Sequence, residues 1–150
     1  MQDIELKSAQ GIITLLGIKG LGPVTAMKLM SRFNTLDEVM NETIEGLKGL
    51  ATEPIRRILT EGGQAVEDAI RLAEDELGRA TELGATVLSV FDDQYPEHLK
   101  GVQDCPLVLY TSGDLSLLNR SVACVGTREP TQFGATVTKR LVTMLGEGGW

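Results

Sequence analysis

The chain is poor in the residues that staple, ligate or stack. Its 150 residues include two cysteines, one histidine and 4% aromatics. Cys105 and Cys124 have no CxxC spacing and no paired histidine, which argues against a disulfide framework, a redox pair or a metal site and leaves both as reduced, structural thiols. His98 stands alone, so a catalytic base or metal ligand there has no second member, and it reads as a surface residue of the Tyr95-Pro96 turn. Long apolar runs are missing as well. The longest near the N-terminus, Gly11 to Ile18, falls far short of the roughly 18–20 residues that cross a bilayer, and no basic-then-apolar leader precedes it. A cytoplasmic protein without membrane insertion is expected. Positive charge is scarce too: 14 Lys plus Arg face 21 Asp plus Glu, a formal net charge of -7. That balance excludes a continuous basic coat for nucleic acid.

The negative charge is local. Residues 1–50 hold 5 basic and 6 acidic residues, 51–100 hold 5 and 11, and 101–150 hold 4 and 4. With 42% apolar and 23% charged residues the composition is that of a soluble globular chain, long enough for one domain or two small ones.

Residues 1–62 read as short helices separated by tight turns. Ser8 caps a helix whose apolar positions are Ile12, Ile13, Leu15 and Leu16, and the glycines of Gly17-Ile18-Lys19-Gly20-Leu21-Gly22 stop it. Pro23 opens the next helix, where its missing N–H has no partner to lose, and Ala26, Leu29, Met30 and Phe33 give it an inward stripe. Thr35 with Glu38 forms a capping box. Gly46-Leu47-Lys48-Gly49-Leu50 followed by Pro54 is a weaker copy of the first glycine turn, which suggests a degenerate duplication. A long helix from Gln64 to Leu83 turns Val66, Ala69, Ile70, Ala73, Leu77 and Ala80 inward and its acids outward, so the acidic third is mainly a solvated face.

After Gly84 the period shortens. Thr86 to Val90, Leu107 to Tyr110 and Ser121 to Val125 read as strands, the third nearly all apolar as if covered on both faces. The third runs through Gly126-Thr127-Arg128 into a helix with Val137, Leu141, Val142 and Leu145 inward, the opening unit of a Rossmann-like parallel sheet. One such unit cannot bury its own sheet, so a longer domain is expected to continue past Trp150.

Two places can hold an anion. Leu16 to Ala26 resembles a helix-hairpin-helix motif, whose glycine turn exposes backbone N–H groups at a helix start. Gly20, Gly22, Lys19, Thr25 and Lys28 are its candidate contacts for DNA phosphate, and a hairpin used only for packing or protein docking is the other reading. The second place is the strand-to-helix turn. There Gly126 and Gly134 allow close approach, Thr127 and Thr131 offer hydroxyls, and Arg128 presents a planar fork for phosphate. The alternative is that Arg128 only pairs with Glu129 or a nearby acid. The glycine spacing departs from Gly-x-Gly-x-x-Gly, so no dinucleotide cofactor is expected. Nor does the sequence offer a Walker loop, a nucleophile with its base, or a metal-ligand cluster. Asp92 and Asp93 are adjacent and point apart. No catalytic residue, metal or cofactor is assigned.

Tyr95-Pro96-Glu97-His98-Leu99, Asp104-Cys105-Pro106-Leu107-Val108-Leu109-Tyr110, Gly113-Asp114 and Val122 to Arg128 with Thr131-Gln132-Phe133-Gly134 resemble, in order and spacing, the DNA-processing protein A family (DprA, also called Smf). The helical front part resembles the sterile-alpha-motif-like (SAM-like) N-terminal domain of many members. The resemblance implies residues 1–84 as a helical SAM-like domain with its helix-hairpin-helix, and 85–150 as the first part of a Rossmann-like domain. It further implies single-stranded DNA binding, protection of incoming DNA and RecA loading in natural transformation and recombination, a homodimer at full length, and no enzyme activity. The Gly126-Thr127-Arg128 turn stands where the family holds DNA phosphate. Thr127 and Thr131 replace the usual serines and Phe133 a common tyrosine. Two rivals remain: a nucleotide-handling enzyme on a related scaffold, and a helical protein-interaction module.

Overall fold

Local side-chain chemistry sets the helix starts. A computed structural model describes residues 3–116 and 122–150. The first helix, α1 (Ala9–Gly17), begins where the Ser8 hydroxyl accepts from the Gly11 N–H at 3.0 Å. Such a cap contributes about 1 kcal/mol. Gly22 caps α2 (Pro23–Met30) without a side-chain bond, and Pro23 occupies the first turn as the sequence predicts. At α3 (Leu36–Met40), Thr35 Oγ1 accepts from the Glu38 N–H at 3.3 Å, but the return bond goes one residue further back than a capping box requires: the Asn34 N–H donates to Glu38 Oε2 at 2.7 Å. The helices α4 (Glu53–Glu61) and α5 (Gln64–Glu82) complete the helical part.

These helices enclose one core. Leu6, Ile12, Leu15, Leu29, Leu36, Leu47 and Leu59 are fully buried, each worth roughly 1.5–3 kcal/mol of transfer free energy. The segment before α1 lies against residues 34–36, with the Leu6 N–H donating to Asn34 O at 2.8 Å and the Leu36 N–H to Ile4 O at 2.9 Å. Helix α1 crosses that segment so closely that a Cβ on Gly11 would stand 2.2 Å from Glu5 O. Against α5 the contact uses small residues: Val66, Ala69, Ala73 and Ala80 are buried, and a Cβ on Gly17 would meet that of Ala69 at 3.3 Å. The acids Glu67, Asp68, Glu74, Asp75 and Glu82 are exposed, as the sequence predicts.

Strands β1 (Thr86–Ser89) and β2 (Val108–Thr111) follow, with a one-turn helix α6 (Glu97–Lys100) between them. They pair antiparallel, Thr86 opposite Thr111 and Ser89 opposite Val108. The pairing is antiparallel because the connection folds straight back and carries no long crossover helix. The fold is mixed α/β, a helical hairpin region followed by a small sheet, and is consistent with the start of a Rossmann-like domain.

The chain divides into two compact units, Met1–Gly113 and Asp114–Trp150. The second is built around α7 (Gln132–Glu147). Ser121 lies outside the described residues, and Val122 to Val125 form no strand. A strand exists only through a ladder partner, and the described residues of this unit contain none. For the same reason Val137, Leu141 and Val142, expected to face inward, are about half exposed.

Candidate nucleic-acid interface

The strand-to-helix turn is shaped by its two threonines. Thr127 Oγ1 accepts from the Glu129 N–H at 3.2 Å, folding the chain back around Arg128. Thr131 is the N-cap of α7, accepting from the Gly134 N–H at 3.1 Å while its carbonyl receives the Ala135 N–H at 2.9 Å. As an acceptor in this bond, the Thr131 hydroxyl keeps a proton for a ligand oxygen, whereas the Thr127 hydroxyl also donates, to Glu129 O at 3.5 Å. No acid lies in the first turn of α7, so its remaining N–H groups and dipole favour an anion. Among the described residues Arg128 joins none of the ion pairs, and its side chain does not pair with Glu129.

Gly126, Thr127, Thr131 and Gly134 line one trough of about 720 Å³. Arg128 does not line it; it stands outside, exposed. Gly126 does not use a left-handed conformation, and a Cβ there would meet open space. Four lining residues escaped the sequence reading, Ala135, Thr138, Lys139 and Thr143. The available signal was helical spacing, since Thr138 lies one turn beyond Gly134.

In the first unit, Gly20 takes φ 89° in the turn after α1, and Lys19 beside it is exposed. Helix α2 has neither a side-chain cap nor an acid in its first turn, where Thr25 is half-buried. Lys28 belongs to the last turn, away from the N–H groups at the helix start. The copy of this turn is real in backbone terms, since Gly49 takes φ 84° and Leu47 is buried just as Ile18 is. Its electrostatics differ. Glu53 occupies the first turn of α4 and pairs with Arg57 at 2.8 Å, a pairing that holds the Glu53 carboxyl below its ordinary range. A carboxylate at that helix start disfavours phosphate. Among the described residues no group of three or more metal-ligating side chains occurs, and no helix is long and apolar enough to cross a membrane.

The family described as DNA recombination-mediator protein A matches residues 86–150, and the SAM-like helix-hairpin-helix tandem matches residues 12–51. Residues 86–150 are thus similar to the DNA-processing protein A family. The DNA processing protein DprA of Bacillus subtilis (strain 168) is 38% identical over 71 residues, which are 46% of this chain and 24% of that relative. The chain thus matches about a quarter of the relative's length. No solved structure gives a match. Both glycine-turn constellations fall within matched regions: Lys19 to Lys28 in the hairpin tandem, and Gly126 to Gly134 in the mediator region.

Proposed function

We propose that this chain is the DNA-gripping front part of a non-catalytic recombination mediator that holds single-stranded DNA through its phosphates. In this reading Gly126, Thr127, Arg128, Thr131 and Gly134 form the phosphate turn, and Lys19, Gly20, Gly22 and Thr25 form a second contact at the first hairpin. Single-strand specificity, protection of incoming DNA, RecA loading and homodimerisation are proposed for the full-length protein on the family relationship. The observation that carries the reading is the turn around Arg128. An exposed guanidinium without an ion-pair partner among the described residues stands between Thr127, which folds the turn, and Thr131, which caps a helix free of acids in its first turn.

Fluorescence anisotropy with a labelled oligothymidylate, repeated over a salt series, tests it. Arg128→Ala should weaken binding at every salt concentration and reduce the slope of log K against log salt by about 1. An unchanged slope and affinity would remove Arg128 from the site. Thermal stabilisation by a mononucleotide but not by the oligonucleotide would favour a nucleotide-handling enzyme instead.

A further inference from the structure

The first unit also carries an apolar surface that borders the first hairpin. Two depressions, of about 350 and 630 Å³, share Leu16 and Leu107 in their linings and so lie next to each other alongside α1, and together they are termed the trough. At one end it reaches Pro23, Val24 and Met27 of α2. At the other it reaches Leu72 of α5 and Tyr110 of β2. Much of this apolar surface is open: Val24 is 72% exposed, Leu72 51%, Met27 41% and Leu16 37%. Large apolar side chains grouped in a groove mark an interaction surface rather than scattered surface residues.

Charge is arranged along the trough. Lys28 and Lys100 line the α2 end, with Asp104 as the acid beside them. Lys100 also pairs with Glu97 at 3.1 Å. Glu76 lines the opposite end, where it accepts the hydroxyl hydrogen of Tyr110. A phosphate backbone laid along this path would gain at one end and be repelled at the other. Single-strand grooves also stack bases on aromatic faces, whereas Tyr110 is the aromatic in these linings and its hydroxyl is tied to Glu76. We propose that the trough docks an amphipathic helix of a partner protein. Its aliphatic face covers Leu16, Val24 and Met27, its acidic N-terminal turn meets Lys28 and Lys100, and its basic C-terminal turn meets Glu76. That polarity matches the helix's own dipole preferences, acid first and base last, so one segment satisfies both ends. The proposal goes beyond the DNA reading and is independent of Arg128.

The probe is a fluorescein-labelled helical peptide with leucines at i, i+3, i+4 and i+7, two aspartates in its first turn and two lysines in its last. Its anisotropy is titrated with the whole chain. Saturable binding is expected. Val24→Glu should weaken it at least tenfold, and at 72% exposure this position tolerates the change without loss of fold. Combining Lys28→Glu with Lys100→Glu should weaken this peptide several-fold and strengthen a version with its charged ends exchanged. Circular dichroism confirms that each variant is folded. The proposal is overturned by absence of saturable binding, by equal affinity for the two charge arrangements, or by peptide binding that survives Val24→Glu while oligothymidylate binding does not. Concentration-dependent self-association abolished by Val24→Glu would assign the trough to a second copy and likewise overturn it.

Discussion

The phenol of Tyr95 donates to the carbonyl oxygen of Pro106 across 2.6 Å, with the Cys105 sulfur 3.3 Å from the phenol oxygen. This bond ties the turn before α6 to the chain entering β2, and it is made by a residue only 2% exposed. Burial, then the Cys105 contact, raises the Tyr95 pKa. Tyr110 is raised as well, by desolvation and by its bond to Glu76.

These two are the chain's tyrosines, so alkaline behaviour follows from them alone among phenols. A phenol whose folded pKa lies above the unfolded value of about 10 contributes stability in full below that pH, and the contribution disappears as pH rises through the folded value. Tyrosinate absorbance should therefore stay absent at pH 10 and appear together with loss of circular dichroism at higher pH. Titration of both phenols near pH 10 with an unchanged spectrum would contradict the Tyr95–Pro106 and Tyr110–Glu76 bonds. Tyr95→Phe should cost about 1–2 kcal/mol by leaving the Pro106 carbonyl with only the weak Cys105 thiol donor.

Gly11 answers to space, not to backbone angle. A methyl group there would stand 2.2 Å from Glu5 O and 2.6 Å from Leu6 Cα, both main-chain atoms that cannot swing aside. Gly11→Ala is expected to destabilise the chain by about 1–3 kcal/mol in urea denaturation. Gly78→Ala, in α5 with nothing within 4 Å of the added carbon, should instead stabilise by roughly 0.5–1 kcal/mol. If the two substitutions had the same sign, the close crossing of α1 over residues 5 and 6 would be wrong.

Thr131 is expected to act through α7 before it acts on any ligand. Thr131→Ala removes the acceptor for the Gly134 N–H and should cost about 1 kcal/mol of local helix stability, whereas Thr131→Ser retains the bond. Amide hydrogen exchange at Gly134 checks this: faster exchange in the alanine variant, unchanged exchange in the serine variant. Equal rates in all three chains would show that the cap does not hold the helix start.

What was legible in the sequence was mostly local. Ser8 and Thr35 cap the helices they precede because a hydroxyl reaching an N–H three residues on needs nothing from the rest of the chain, and Thr131, read only as a hydroxyl donor for phosphate, caps α7 in the same way. The inward faces of α2 and α5 were readable from spacing because partners surround them. Facts that depend on distant partners were not readable. Val122 to Val125 has the composition of a covered strand without a ladder among the described residues, and the antiparallel pairing of β1 with β2 depends on how residues 90–107 fold back. At the candidate site, Gly126, Thr127, Thr131 and Gly134 come together as their spacing suggests. Lys139 was missed because its place on the trough depends on how the preceding loop lies along α7.

The two glycine turns of the helical tandem separate stability from binding. Gly20 and Gly49 share a left-handed backbone, φ 89° and 84°, and a Cβ at either would meet nothing within 4 Å. The cost of Gly20→Ala and of Gly49→Ala is therefore conformational and similar, about 1–2 kcal/mol each. Their effects on oligothymidylate anisotropy should diverge. The Gly20 turn leads into a helix start without an acid, and the Gly49 turn leads into one occupied by Glu53. Gly20→Ala is expected to weaken binding by moving the N–H groups proposed to contact phosphate, while Gly49→Ala leaves the affinity unchanged at temperatures where both variants are folded. Equal losses would mean that the tandem grips through both turns, and no loss from either would remove the first hairpin from the DNA interface, leaving Arg128 and its turn to hold the strand.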